Sequence, residues 1–343
     1  MPTNPLHAPI PRRRWLAAVA LSALLVACAP MPGAAPFGDP LPAWNEGVNK
    51  QRIIDFVRAV STEGSNDFVP PEERIAVFDN DGTLWLEYPL YTQFVFVLDR
   101  IKAMAPQHPE WKDKEPYKSV ISGDMKGVMA SGEKGMLEML LVAQSGMSTD
   151  AFDAEVRKWI GKAQDPRFKR HYDTLTYQPM LELLRYMRAN GFKTFIVSGG
   201  SVEFMRAYTE RTYGIPPEQT LGTRQKAAFE LKGKLTETQM LPQIEFINDG
   251  SGKPVNIEAL IGRRPIAAFG NSDGDFQMLQ WTSTAPGRRL SMIVHHDDAV
   301  REYAYDRDSA IGRLAEGLDK YQAMGWGLIS MKNDWKVLFP PLK

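Results

Sequence analysis

The sequence predicts an α/β protein: a mostly parallel sheet with helices on its faces, interrupted once by a helical insert. Three observations carry that reading. Short, continuously apolar runs such as Ile75–Phe78 and Phe192–Val197 end in polar or glycine residues, as strands buried on both faces do. These runs alternate with stretches of helical period, a pattern that sets successive strands parallel. Between Leu84 and Pro179 no strand-like run occurs, and a structureless loop of that length is implausible in a compact domain, so the gap must be helical.

At 343 residues and 43% hydrophobic content the chain can bury a sizeable core. Lys plus Arg and Asp plus Glu both number 41, so no basic field points to a nucleic-acid partner. The amino terminus has a separate character. Arg12, Arg13 and Arg14 precede an apolar run from Trp15 to Ala27, which has the length of a signal peptide and falls short of a membrane span. Residues 1–27 are therefore expected to be cleaved. The single cysteine comes next, and Leu25-Val26-Ala27-Cys28 resembles the lipobox of bacterial lipoproteins. That resemblance implies lipidation at Cys28, a periplasmic location and, with Ala29 following, an outer-membrane anchor. Pro30–Pro42, rich in proline, glycine and alanine, reads as a tether, and residues 28–45 are assigned to it. One cysteine allows no disulfide framework, so packing alone must stabilise the exported domain.

The elements follow in order. Ile53, Ile54, Phe56, Val57 and Val60 recur at helical spacing within Asn49–Val60, and Pro70-Pro71 separate that helix from the strand Ile75–Phe78. Helical stretches around Leu90–Met104, Lys134–Gln144 and Ala151–Ala163 fill the insert, assigned to residues 85–175. The alternation resumes with helix Pro179–Ala189, stopped by Gly191, strand Phe192–Val197 and helix Ser201–Tyr213. Thr223–Gln239 reads as a hairpin turning near Lys232-Gly233-Lys234. Helix Asn256–Ile261, strand Pro265–Phe269, helix Phe276–Trp281 and strand Leu290–Val294 close the pattern, so the core takes residues 46–84 and 176–343.

The chemistry concentrates at the end of the first strand. In Asp79-Asn80-Asp81-Gly82-Thr83-Leu84, strand alternation sends Asp79 and Asp81 to one site while Asn80 faces away, and Gly82 permits a sharp turn. Two carboxylates that close repel, so either a bound Mg²⁺ or one raised pKa is required. This D-x-D-G-T-L run resembles the first motif of the haloacid dehalogenase superfamily, in which the second aspartate marks the phosphatases. The remaining motifs occur in the matching order. Val197-Ser198-Gly199-Gly200 resembles the second motif in its phosphoserine-phosphatase-like form, Lys253 before a short helix resembles the third, and Gly270-Asn271-Ser272-Asp273-Gly274-Asp275 resembles the fourth.

The resemblance implies a Rossmann-like core with a helical C1-type cap inserted after the first strand. It implies Asp79 as nucleophile, Asp81 as general acid and base, and Ser198 and Lys253 holding the phosphoryl oxygens. Gly82, Thr83, Gly199, Gly200 and Glu87 would line the phosphate or substrate site, and Mg²⁺ would rest on Asp79, Asp81, Asn271 and Asp275. Asn271 departs from the usual aspartate, which lowers site charge, and Asn271→Asp is expected to tighten Mg²⁺. The implied activity is hydrolysis of a small phosphorylated metabolite through an aspartyl-phosphate. A phosphotransferase, or a lipoprotein that only binds phosphorylated ligands, stays open as an alternative. His295-His296-Asp297-Asp298 has no third ligand in view and reads as a solvated loop.

Overall fold

The computed structural model describes residues 38–342; the leader, Cys28 and most of the tether lie outside the described residues. An eight-stranded sheet organises the chain: β1 (Ile75–Phe78), β2 (Lys193–Ser201), β3 (Thr220–Lys232), β4 (Leu235–Phe246), β5 (Ala267–Gly270), β6 (Leu290–Asp297), β7 (Ala304–Tyr305) and β8 (Gly327–Ser330). The order is β4-β3-β2-β1-β5-β6-β7, with β8 also on β6. Strands β1, β2, β3, β5, β6 and β8 run parallel, while β4 and β7 pair antiparallel. β8 and β7 extend the sheet beyond the last strand expected from the pattern.

Strand alternation explains why β1 had to be apolar throughout. Ala76 and Phe78 join one hydrophobic cluster, on the face with Phe269 and Met292, whereas Ile75 and Val77 join the other, with Ala268 and Ile293. Phe78 and Phe269 stack across the strand pair at 4.8 Å. Burying a phenylalanine of this kind stabilises by about 1.5–3 kcal/mol. Continuing the same alternation, Asp79 emerges on the Val77 face and Asn80 on the Phe78 face.

Helices α1 (Val48–Ser61), α2 (Thr92–Met104), α3 (Tyr117–Ser122), α4 (Met125–Ala130), α5 (Gly132–Gln144) and α6 (Thr149–Ile160) come first, and all but α1 belong to the insert between β1 and β2. The insert leaves and returns through one crossing, where Leu86 N–H donates to Leu175 O at 3.0 Å and Tyr177 N–H to Leu84 O at 2.9 Å. After it come α7 (Gln178–Ala189), α8 (Val202–Arg206), α9 (Thr209–Tyr213), α10 (Gly252–Ile261), α11 (Phe276–Ser283), α12 (Glu316–Lys320) and α13 (Met331–Asp334). The helix expected over Ser201–Tyr213 is thus two short ones. Residues 40–343 form one compact unit, insert included.

The tether ends earlier than the composition implies. Leu41, Ala43 and Trp44 are buried, Ala43 N–H donates to Glu182 Oε2 at 2.7 Å, and Trp44 meets Trp335 edge to face. Proline and glycine content signals a poor core former, yet Leu41 and Trp44 find a ready apolar seat against the carboxyl-terminal segment.

Candidate active site

β1 lies between β2 and β5, so its carboxyl end opens onto the crevice where open α/β sheets place their sites. Asp79 is held in the sheet by its N–H to Phe269 O at 2.9 Å, and beyond it Asn80 O accepts from the amides of Thr83 and Leu84, folding the chain back. Gly82 adopts φ 74°, and a Cβ there would collide with the side chains of Asn271 and Glu87, so only glycine fits. Asn80 turns away, bonded to Tyr208 and Tyr213 at 3.1 Å each.

Lys253 reaches Asp79 from the first turn of α10, not from the loop before it. Its Nζ donates to Asp79 Oδ1 at 2.7 Å, Asp275 Oδ1 at 2.5 Å and Val197 O at 3.0 Å, using all three protons. A phosphoryl oxygen would therefore have to replace one of these acceptors. Asp275 is not available to a metal: its other oxygen accepts from Asn271 N and Ser272 N at 3.0 Å each. Lys253 and the amides of the turn together consume this carboxylate, which corrects its assignment as a ligand. Asp273 likewise accepts from Ala315 N and Gly317 N at 3.0 Å and points away from the chemistry.

Ser198 lies on β2, and the strand continues through Gly199 and Gly200 to Ser201, which caps the helix α8 that opens at Val202. Ser198 Oγ accepts from Gly200 N at 3.1 Å, and among the described residues its own hydroxyl donates to none. The Gly199 carbonyl is taken by Thr223 Oγ1 at 2.7 Å. Gly200 faces the turn after β1: a Cβ there would stand 3.8 Å from Asp81 Oδ2 and 3.1 Å from Gln93 Oε1. Gln93 arrives from α2 of the insert, accepts from Ser201 N at 2.9 Å, and keeps a buried Nε2 without a partner among the described residues.

Three residues assigned to substrate turn inward instead. Thr83 is fully buried and donates to Asn271 Oδ1 at 3.0 Å; Gly82 N–H donates to Trp85 O at 2.9 Å. Glu87 is buried, and its Oε1 accepts from Asn271 Nδ2 at 2.7 Å and Tyr305 OH at 2.8 Å. Glu87 thus holds Asn271 through its side-chain amide. Trp85, also buried, donates from Nε1 to Asp81 Oδ1 at 2.8 Å.

The family model for haloacid dehalogenase-like hydrolases matches residues 76–280, more than half of the chain, and spans the end of β1, the Ser198 strand, Lys253 and the Asn271–Asp275 turn. The chain belongs to the haloacid dehalogenase-like hydrolase family. Among solved structures, it is similar to a conserved functionally unknown protein from Anaerococcus prevotii DSM 20548, at 17% identity and TM-score 0.49, covering 73% of this chain and 86% of that one. A protein of unknown function from Bordetella pertussis Tohama I matches at 16% identity and TM-score 0.46, covering 75% and 98%. A phosphoserine phosphohydrolase-like protein from Francisella tularensis subsp. tularensis SCHU S4 matches at 13% identity and TM-score 0.35, covering 74% and 99%. None of the curated proteins matches.

In this haloacid dehalogenase-like hydrolase the buried charge does not balance. Burial, then the Asp275 carboxylate, pushes the Asp79 carboxyl well above its usual range despite Lys253. Burial raises Asp81 too, against the bonds from Trp85 and Asn80, and raises Glu87 strongly, against the bond from Tyr305. Lys253 stays charged: burial opposes it, but Asp275 and Asp79 hold its ammonium above the ordinary lysine value. One ammonium thus serves several carboxylates, an excess that suits a divalent cation. Among the described residues no three His, Cys, Asp or Glu side chains converge as a metal cluster. Mg²⁺ does not need one, because it keeps several waters and takes only one or two carboxylates. Asp79, and Asn271 whose Oδ1 already accepts from Thr83 at 3.0 Å, offer oxygens of the kind such an ion takes.

Sequence reasoning missed the residues that steady these groups. Gln93 carried a signal, as a polar residue inside the apolar helix of Phe94, Phe96 and Val97. Asn248 carried none visible in its loop, yet it is fully buried and its Nδ2 donates to Ser198 O at 2.8 Å. His296, read as part of a solvated loop, lies on β6, 3% exposed, with Nε2 2.8 Å from Gly82 O.

Proposed function

We propose that this chain hydrolyses phosphomonoesters of small metabolites. The observation that carries the reading is Asp79, paired with a buried lysine, standing beside Asp81, whose carboxyl is raised by burial and therefore suited to hold a proton. The Asp79 oxygen not held by Lys253 attacks phosphorus, forming an aspartyl-phosphate as the ester P–O bond breaks. Asp81 gives its proton to the departing oxygen, then takes one from the water that cleaves the acyl-phosphate. Ser198 donates its hydroxyl to a phosphoryl oxygen, and Lys253 offsets the charge between Asp79 and the phosphate. Mg²⁺ held by Asp79, the Asp81 carbonyl and Asn271 would neutralise phosphoryl charge when bound.

The test is release of inorganic phosphate from p-nitrophenyl phosphate and a panel of phosphorylated metabolites, with and without Mg²⁺, using the chain from residue 38. No release from any ester removes the hydrolase reading; phosphate appearing on an added alcohol instead identifies a transferase. We also propose, from the lipobox alone, that Cys28 is lipidated and holds the domain at the periplasmic face of a bacterial membrane. Lipid labelling of intact cells that persists in Cys28→Ser would remove that proposal.

A further inference from the structure

We propose that His296, backed by Glu302, is a positioning residue that fixes the catalytic turn by holding the Gly82 carbonyl. The inference rests on the phosphoryl-transfer reading for its kinetic consequence, not for its geometry. His296 Nε2 lies 2.8 Å from Gly82 O, and a carbonyl brings no hydrogen, so Nε2 must carry the proton and donate it. On the other side Nδ1 lies 3.0 Å from Glu302 Oε2, and a proton must occupy that contact as well. The two side chains thus form a buried pair that bonds Gly82 on the His296 side and accepts from Tyr177 OH at 3.4 Å on the Glu302 side. His296 is 3% exposed and Glu302 0%, so no bulk water competes.

The held carbonyl is the sensitive point of the turn. Gly82 N–H already donates to Trp85 O at 2.9 Å, so with His296 in place both backbone groups of this left-handed residue are tied. Rotation of the peptide between Gly82 and Thr83 would swing the Asp81 carboxyl and carbonyl on one side and the Asn271 contact on the other. A second arm reaches the same turn from the same strand end. Tyr305 stacks on His296 at 4.4 Å and donates to Glu87, which accepts from Asn271, which accepts from Thr83. His296, Glu302 and Tyr305 all lie beyond residue 280, outside the segment that the family model matches. By analogy with the carboxylates that fix the ring orientation of metal-ligating histidines, Glu302 orients the ring that holds Gly82.

The alternative is that the pair only fills space. Two double variants separate the cases: His296→Gln with Glu302→Gln keeps a donor at the reach of Nε2 and removes the buried charge, and His296→Leu with Glu302→Met is apolar at similar volume. The expected result is a kcat for the glutamine pair within about threefold of the parent, and for the apolar pair a loss of about 10- to 100-fold with little change in KM. Hydrogen exchange at the amides of residues 80–84 should be faster in the apolar pair at equal Tm. Equal kcat and equal exchange in the two pairs overturn the proposal. Should the apolar pair fail to fold, His296→Asn with Glu302→Gln replaces it, since the asparagine amide falls short of Gly82; kcat and exchange matching the glutamine pair then overturn the proposal. If the parent chain hydrolyses no ester at all, exchange alone decides, so the two readings fail separately.

Discussion

The carboxyl ends of β1 and β6 look alike in sequence, Asp79-Asn80-Asp81-Gly82 against His295-His296-Asp297-Asp298, and the molecule uses them oppositely. At β1 the acids face a crevice and stay short of balancing charge, with Asp79 and Asp81 both raised. At β6 every polar group is consumed. His296 bonds Gly82 and Glu302, Asp297 accepts from Lys332 N at 2.9 Å, and Asp298 accepts from Arg301 N at 3.0 Å. His295, next to His296, points the other way and pairs with the more exposed Asp306 at 3.2 Å. Reactivity goes with unsatisfied buried charge, and support goes with complete satisfaction.

The sharpest way to break this contrast is Asp79→Asn. The amide fills the same volume and can still accept from Lys253, so Tm should hold, while turnover should fall by at least about a thousandfold because no acyl-phosphate forms. Steady-state phosphate release checks it, and surviving activity would move the nucleophile elsewhere. Next in size is Lys253→Met. Removing the ammonium leaves Asp79 and Asp275 buried without a counter-charge, a loss of about 3–5 kcal/mol that denaturant unfolding would register. A loss under about 1 kcal/mol would mean the pair is solvated in practice.

Where the two strand ends meet, the structure changes an expectation. Asn271→Asp was to tighten Mg²⁺, but Asn271 Nδ2 donates to Glu87 at 2.7 Å, and an aspartate there would set two carboxylates face to face. The single variant should therefore bind Mg²⁺ no better by calorimetry, and tightening should come only when Glu87→Gln is added to supply a donor. Tightening in the single variant would show that Glu87 holds a proton and can donate it.

The smallest effect concerns Glu87→Gln by itself. Folding raises the Glu87 pKa, so the folded chain binds that proton more tightly than the unfolded one. The stability it contributes is complete below the unfolded value near about 4.3 and is lost as pH rises toward the folded one. Without divalent metal, parent and variant should melt together near pH 4, and above it the variant should melt higher by about 1–3 °C. Parallel curves at all pH values would place the raised carboxyl elsewhere.

Much of the arrangement around β1 was legible in the sequence. A continuous apolar run can only be a strand covered on both faces, and period-two alternation then assigns Asp79 and Asn80 to opposite sides without further information. Motif order pointed to Lys253, which meets Asp79 from the first turn of α10, and to Ser198 on β2. Boundaries resting on composition fared less well: Leu41 and Trp44 sit in the core despite their proline-rich surroundings. Which polar residues would be satisfied by one another was decided only by tertiary structure. Asp275 lost its place as a ligand to Lys253, Thr83 and Glu87 turned from substrate to Asn271, and His296 left its expected loop to bond Gly82. The physical reason is that strand and helix periods are local, set by neighbours in the chain, whereas a buried hydrogen bond pairs residues far apart in sequence. His296 and Gly82 are 214 positions apart, and no spacing rule spans that distance.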